Sequence, residues 1–264
     1  MRKIEIFVCD HVEREGTRQP SGAVVCPWVC RPEDDPGQAY ADFRSLYNVW
    51  RQGNGDIIGF MGYRKYIRFP GFCVPATPHA VYGWLNTESK HFNEYRTALS
   101  KWDGASILPL LATHDIIVTP PFLLYDKPVL EDFAISRSQR DATTLRYALA
   151  QRAIEPFSGK IYPYIFVTRW SVFDRFMKFA WPLAQELEPH CKGVDSTNEA
   201  YKRRPMSYVL ERAFSLWLES SGLSYTELPI VNCWELENEG TYSVRSLQQH
   251  PLDVSDELRG SAHS

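Results

Sequence analysis

The chain has 264 residues, a formal net charge of −3 and 44% hydrophobic residues, with 14 Phe, 14 Tyr and 8 Trp. This length fits one large domain, or one domain with a small appendage, and the apolar content can bury a substantial core. The weak negative charge argues against broad attraction to a polyanion, so nucleic-acid binding is disfavoured without being excluded. Small basic groups suit a single phosphate better than a phosphate backbone: Arg64-Lys65, Arg68 and Lys202-Arg203-Arg204.

Targeting and membrane signals are weak. The strand-like start, up to Val8, is too short for a signal-peptide core, and no run approaches the roughly 20 apolar residues of a membrane span. We therefore expect a cytoplasmic protein with reduced cysteines, and peripheral membrane contact stays open. Cys26 and Cys30 have metal-ligand spacing, but no second Cys/His pair completes a zinc site, so small buried thiols are the favoured interpretation.

Strand and helix patterns alternate along the first part of the chain. Residues 4–9 predict a first strand, and a short second strand falls within 24–29. From Tyr40 to Trp50 the apolar residues recur at helical spacing, and 52–55 ends that helix. The apolar run 56–61 has the length of a buried central strand.

The alternation continues to residue 231. The predicted helices are 91–101, 138–154, a long one that starts at Ser171 and is kinked at Pro182, and 206–219; the predicted strands are 115–118, 164–167 and 228–231. From about Glu235 the chain becomes polar. We expect one domain over 1–234 and a loosely ordered tail over 235–264.

Strands separated by helices predict an α/β domain with a largely parallel sheet. In such sheets, ligands bind at the carboxyl ends of the strands, near a topological switch point. This rule predicts pocket walls at Cys9-Asp10-His11, at Gly62 to Tyr66 and at Thr119. The placement by itself names no reaction.

Several segments, in order, resemble one known family. Tyr40-Ala-Asp42-Phe-Arg-Ser-Leu46-Tyr47-Asn-Val-Trp50 is similar to its Tyr-Cys-Glu-Leu-Thr-Ala-Leu-Tyr-Trp-Ala-Trp helix, and Ile58-Gly59-Phe60-Met61-Gly62-Tyr63-Arg64-Lys65-Tyr66 to its Ile-Gly-Leu-X-His-Tyr-Arg-Arg-Tyr motif. Asp115-Ile-Ile-Val, Tyr164-Ile-Phe-Val, Phe173-Asp-Arg-Phe, Arg204 to Arg212 and Glu227-Leu-Pro-Ile-Val continue the match. The set covers roughly residues 3–231 and resembles a domain-of-unknown-function family described as capsular-polysaccharide or glycosyltransferase-like.

The resemblance implies a hexosyl- or pentosyltransferase of polysaccharide biosynthesis with a GT-A-like sheet. It would move a sugar from a nucleotide-sugar, with a UDP-sugar the favoured donor, to a glycan or lipid-linked glycan. Three positions depart from the family pattern: Gly62 replaces a His, Asp42 a Glu and Tyr164 an Asn. These departures imply another donor, another acceptor or a shifted mechanism.

GT-A enzymes commonly hold a divalent metal with Asp-X-Asp at a strand end, and Asp-X-Asp does not occur in this sequence. The corresponding strand end carries Gly62-Tyr63-Arg64-Lys65. We therefore expect transfer without a divalent metal, in which Arg64 and Lys65 or Arg212 balance the diphosphate. Arg64-Lys65 could instead be an ordinary basic strand end.

The remaining candidate residues follow from the same comparison. Glu211 is the predicted general base or sugar-hydroxyl acceptor, with Asp42 as the second catalytic candidate. The structural alternatives are an internal Glu211–Arg212 salt bridge that joins helix to sheet and a structural Asp42. The predicted donor-binding residues are Asp10, His11, Tyr63, Arg64, Lys65 and Arg212, while Asp115 and Asp141 are weaker candidates.

Two other functions remain open from the sequence. One is a non-catalytic carbohydrate-binding or scaffold module that kept the fold after losing the His at Gly62. The other is a transferase whose acceptor is a nucleic-acid base, against which the net charge of −3 argues weakly.

Overall fold

The computed structural model describes residues 4–9, 25–27, 40, 42–53, 55–62, 64–79, 84–124, 127–154 and 158–233. The predicted donor-binding residues Asp10, His11 and Tyr63 lie outside these residues, as do Cys30 and the predicted tail.

Helices and short strands alternate along the described residues. The strands are β1 Ile4–Cys9, β2 Val25–Pro27, β3 Ile57–Gly62, β4 Lys65–Ile67, β5 Thr77–Pro78, β6 Leu85–Thr87, β7 Ile116–Val118, β8 Phe122–Leu123, β9 Lys160–Ile161, β10 Phe166–Arg169, β11 Tyr225–Glu227 and β12 Ile230–Cys233. The helices are α1 Asp42–Gln52, α2 Ser89–Leu99, α3 Leu108–Thr113, α4 Val129–Ser136, α5 Gln139–Ala150, α6 Trp170–Leu187, α7 Glu199–Arg203 and α8 Pro205–Ser220, with a 3₁₀ turn at Ala105–Ile107.

The predicted helices and strands are confirmed, with small shifts at their ends. The strand expected at 164–167 begins at Phe166. The strand expected at 228–231 begins at Ile230, as β12, and a separate strand that was not predicted, β11, ends before it at Glu227; Leu228 and Pro229 separate the two. Pro229 has no N–H for a ladder, and its carbonyl instead accepts a hydrogen bond from Arg68 N at 2.7 Å.

Ten strands form one mixed sheet, in the order β11-β7-β10-β3-β4-β12-β6-β5, with β1 paired to β3 and β2 to β1. Five of its pairings are antiparallel and four are parallel, so the predicted α/β class is confirmed and the largely parallel sheet is wrong. One reason is that β10 lies between β3 and β7 and runs antiparallel to both. Another is that β3 turns directly into β4, and so short a connection can join only antiparallel strands.

Two hydrophobic cores lie on the two faces of the sheet. On β3, Ile58 and Phe60 belong to one core, whereas Ile57 and Met61 belong to the other. This alternation follows from the two-residue period of a strand, and burial on both faces explains the continuous apolar run. Helices α1, α4, α5, α6 and α8 contribute to the first core, and α2 and α3 to the second.

Two glycines of β3 differ in what the fold requires of them. A Cβ atom at Gly59 would lie 2.9 Å from Val167 Cγ2 and 3.2 Å from Ile6 Cγ1, so a side chain there would push the flanking strands apart. A Cβ atom at Gly62 would meet nothing closer than Lys65 Cβ at 3.7 Å, an ordinary contact. The packing therefore requires glycine at 59 and leaves room for a side chain at 62.

Candidate functional site

Four of the predicted site residues converge from three elements. Asp42 is the first residue of α1, Lys65 is the first residue of β4, and Glu211 and Arg212 lie in the middle of α8. Burial raises the pKa of Glu211 and Asp42 raises it further, whereas Arg212 and Lys65 act to lower it. The two carboxylates, which we call the carboxylate pair, therefore lie within electrostatic reach of each other and of both cations.

Glu211 and Arg212 form an ion pair within α8. Arg212 Nη1 donates to Glu211 Oε2 at 2.6 Å, and the two side chains are 24% and 6% exposed for Glu211 and Arg212 respectively. Neighbouring residues on a helix usually diverge, so this contact requires the Arg212 side chain to bend back. The internal salt bridge of the structural alternative is therefore present, and it joins consecutive residues of one helix.

Three arginines surround one aromatic ring beside the carboxylate pair. The Cζ atoms of Arg137, Arg204 and Arg212 lie 5.3, 5.5 and 5.6 Å from the ring centroid of Tyr208. We call these four residues the arginine cluster. Arg212 Cζ also lies 5.4 Å from the ring centroid of Phe133, so its guanidinium group contacts two aromatic side chains.

Two guanidinium groups of the arginine cluster, those of Arg137 and Arg212, act on each other. Burial lowers the pKa of Arg137, and the guanidinium of Arg212 lowers it further, against the opposing effects of Tyr208, Asp132 and Glu211. Arg137 Nη1 donates to the neighbouring carbonyl of Ser136 at 2.8 Å. Within the described residues, the buried Nε atoms of Arg137 and Arg212 have no hydrogen-bond partner. The cluster therefore has donor capacity to spare.

Part of the arginine cluster carries a signal in the sequence. Arg204, Tyr208 and Arg212 are spaced four residues apart, which places them on one face of a helix that starts at Pro205. In the sequence, Arg204 belongs to a local basic group and begins a family-like segment, and neither Arg204 nor Tyr208 is a predicted site residue. Arg137 comes from the end of α4, a helix that was not predicted, so only the tertiary fold brings it to this face.

Tyr164 adds a hydroxyl group near the carboxylate pair. The side chain is buried just before β10, and its hydroxyl has no hydrogen-bond partner within the described residues. Burial raises the pKa of Tyr164, and the charges of Glu211 and Asp42 add to that rise. The hydroxyl therefore stays protonated and can donate a hydrogen bond.

The hairpin from β3 to β4 positions the other two predicted cations. Arg64 lies in its turn, partly exposed, and its carbonyl accepts a hydrogen bond from Cys233 N at 2.9 Å. Lys65 Nζ lies 4.1 Å from the ring centroid of Trp84. This cation–π contact holds the ammonium group in place.

Three weaker candidates have structural environments. Asp141 is buried, and its Oδ2 accepts hydrogen bonds from Tyr201 Oη at 2.5 Å and from Gly193 N at 2.8 Å. Asp115 Oδ2 accepts from Ser224 N and Oγ, which fixes the start of β7 to the start of β11. Thr119 is fully buried, so it does not form the wall of an open pocket.

Two features that bear on function are missing from the described ranges. They contain no group of three or more His, Cys, Asp or Glu side chains arranged to hold a metal ion. Nor does any helix there have the length and apolar character to cross a membrane. The expectation that transfer needs no divalent metal stays a prediction.

The fold is similar to that of a solved glycosyltransferase. The apo structure of WbbM, a bifunctional glycosyltransferase, matches with a TM-score of 0.64 and 18% sequence identity. The match covers 88% of this chain and 45% of that one, so the chain spans less than half of the WbbM chain. No curated protein matched.

The resemblance seen in the sequence is confirmed at the level of a family whose function is unknown. The sequence model of that family matches residues 35–222, more than half of the chain. The matched segment includes Asp42, Lys65, Glu211 and the arginine cluster. It therefore contains the described residues of the candidate site that converge on α8. The chain belongs to the DUF4422 family, a domain of unknown function.

Proposed function

We propose that the chain is a glycosyltransferase that moves a sugar from a nucleotide-sugar to a glycan or lipid-linked glycan, without an Asp-X-Asp metal site. The observation that carries this proposal is the convergence of the carboxylate pair with Arg212 and Lys65. The similarity to WbbM supports a glycosyltransferase-like fold and says nothing of donor or acceptor.

Glu211 is the proposed general base. Burial and the charge of Asp42 raise its pKa toward the range in which a carboxylate can accept a proton effectively. It takes the proton of the acceptor hydroxyl as that oxygen bonds to the anomeric carbon. The bond from this carbon to the diphosphate oxygen breaks, and its electron pair leaves with the nucleoside diphosphate.

Cations of the site would offset the charge of the leaving diphosphate. Arg212 pairs with Glu211, Lys65 lies within electrostatic reach of it, and Arg64 lies on the same hairpin as Lys65. A hydrogen bond to a charged group contributes on the order of 1.5–3 kcal/mol net. Asp42 is the proposed partner of a sugar hydroxyl. The contacts proposed for Asp10, His11 and Tyr63 with the nucleotide stay predictions.

The test is a donor screen followed by a transfer assay. Thermal shift with UDP-, GDP-, CMP- and dTDP-sugars, each with manganese or with a chelator, identifies the donor, and we expect a UDP-sugar to stabilise the fold most. Glycan acceptors are then screened with that donor. Glu211→Gln should lower kcat/KM by about 100-fold or more, because the proton acceptor is lost. The exposed Glu94→Gln on α2 is the matched control and should retain full activity.

Three results would contradict this proposal. If none of the donors stabilises the fold, the chain does not bind nucleotide-sugars. If a chelator abolishes transfer and manganese restores it, transfer depends on a metal. If a donor binds and no acceptor is modified, the chain is a non-catalytic carbohydrate-binding module.

A further inference from the structure

We propose that the arginine cluster is a phosphoryl-binding site, in which Arg137 and Arg204 act together with Arg212. The phosphoryl group belongs either to the diphosphate of the donor or to a phosphorylated acceptor, and this assignment rests on the proposed function. The proposal that a phosphoryl group binds to the cluster does not rest on the proposed function.

The first argument is geometric. All three guanidinium carbons lie within 5.6 Å of one ring centroid, so any two of them are at most about 11 Å apart. A guanidinium group presents its donors in a planar fork, and a phosphoryl group offers several acceptor oxygens. We expect one phosphoryl or diphosphoryl group to accept hydrogen bonds from more than one arginine of the cluster.

The second argument concerns uncompensated charge. An arginine stays protonated even when it is buried, and a buried charge is costly unless it is paired. Arg212 is 5% exposed and pairs with Glu211, whereas Arg137 has no ion pair within the described residues. The two guanidinium groups also repel each other. A dianion would offset this repulsion and would accept hydrogen bonds from the guanidinium groups.

The third argument is position. Arg204 caps the amino end of α8, a helix of 16 residues, where the peptide dipoles also favour an anion. Arg137 and Lys65 both act to lower the pKa of Glu211, so cations reach the proposed base from α4 and from the sheet. A phosphoryl group in the cluster would lie next to the proposed site of transfer.

Tyr208 determines which part of a ligand fits. Its ring contacts all three guanidinium groups of the cluster, so these contacts compete with the stacking of a nucleotide base on the same ring. The ring instead holds the arginines together. The cluster is thus suited to a phosphoryl group and poorly suited to a base.

Calorimetric titration of the full chain with inorganic pyrophosphate and with inorganic phosphate tests the inference without turnover. Arg137→Gln should weaken pyrophosphate binding by tenfold or more, and Arg137→Lys, which keeps the charge and loses the fork, by less. Arg146→Gln, on the exposed face of α5, is the matched control and should bind as the native chain does. The melting temperature of each variant shows whether it is folded.

Two further ligands distinguish the sources of the phosphoryl group. If Arg137→Gln weakens UDP binding, the cluster holds the donor diphosphate. If it weakens binding of a sugar 1-phosphate and leaves UDP binding unchanged, the cluster holds an acceptor phosphate. Either result supports the inference.

The inference and the proposed function fail in different ways. If neither phosphate, pyrophosphate, UDP nor sugar 1-phosphate binds in a manner that depends on Arg137, the inference is wrong, even when the chain transfers sugar. If pyrophosphate binding depends on Arg137 and no transfer is found, the phosphoryl site stands and the proposed transferase does not. If variants of the cluster change only the melting temperature and not the binding of these ligands, the cluster contributes to the stability of the fold and not to binding.

Discussion

The two ends of helix α8 carry polar clusters of opposite kinds. Near its carboxyl end, Tyr162 Oη donates to Glu219 Oε1 at 3.0 Å, and Lys160 Nζ donates to Tyr225 Oη at 3.3 Å and lies 3.8 Å from Glu219 Oε1. We call these four residues the tyrosine cluster. Near the amino end, the arginine cluster gathers three guanidinium groups around one ring, and the buried Nε atoms of Arg137 and Arg212 have no hydrogen-bond partner among the described residues.

The difference lies in how complete each cluster is. In the tyrosine cluster a cation, a carboxylate and two hydroxyls satisfy one another, so it stabilises the junction between α8, β9 and β11 without a ligand. In the arginine cluster the guanidinium groups of Arg137 and Arg212 repel each other, and within the described residues Arg137 has no ion pair. A polar cluster that is complete within the protein supports the fold, whereas one that is incomplete indicates a binding site.

The largest effect is expected from the removal of Arg212, which pairs with Glu211 of the carboxylate pair and also belongs to the arginine cluster. Arg212→Leu should destabilise the chain by about 3 kcal/mol, because the half-buried Glu211 loses its partner. Urea unfolding measures this change. A loss below about 1 kcal/mol, the range of an exposed ion pair, would show that Glu211 does not depend on Arg212.

Removing one hydroxyl from the tyrosine cluster should have a smaller effect. Tyr162→Phe should lower the free energy of unfolding by about 1 kcal/mol, because Glu219 and Tyr225 each lose a hydrogen bond with this side chain. Transfer activity should not change, as measured by kcat/KM at a temperature where the variant is fully folded. A loss of activity would show that the tyrosine cluster also contributes to the site.

The arginine cluster should respond in the opposite direction. Arg137→Met should raise the free energy of unfolding by about 0.5 kcal/mol, because the repulsion with Arg212 disappears and an apolar side chain replaces a buried charge. Urea unfolding without phosphate should show this gain. A clear loss of stability would mean that Arg137 is paired in the folded chain and that the cluster is complete.

The smallest expected effect is a change in pH dependence. The charge of Asp42 raises the pKa of Glu211, so Asp42→Asn should lower that pKa. The proposed base then stays deprotonated to lower pH, and the acid limb of the kcat/KM profile should move to lower pH. Lys160→Gln in the tyrosine cluster is the control and should leave the limb in place. If the acid limb of the kcat/KM profile does not move in Asp42→Asn, Asp42 has no effect on the titration of Glu211 that limits activity.

The sequence predicted the long elements and missed the short ones for a physical reason. Helices α6 and α8 and strand β3 contain enough residues to show a period or a long apolar run, whereas β4, β5 and β6 have only two or three residues each. Strand direction was not predictable in the same way. It depends on where each connection crosses the sheet, and no local pattern of β10 indicates that it runs antiparallel to β3.

The same distinction applies to the candidate site. Glu211, Arg212, Asp42 and Lys65 were predicted because they lie in segments that resemble family motifs. The face formed by Arg204, Tyr208 and Arg212 could have been found from helical spacing alone. Arg137 could not, because its place beside Tyr208 depends on how the end of α4 packs.

The unequal demands on the two glycines of β3 bear on how this fold can diverge. At Gly59 almost any change would be eliminated by misfolding before its chemistry could matter. Position 62 lies at the strand end next to the hairpin that carries Lys65, and its backbone tolerates a Cβ atom. Evolution or an engineer can therefore exchange this residue in a single step without disturbing the fold, and so vary the chemistry of this strand end.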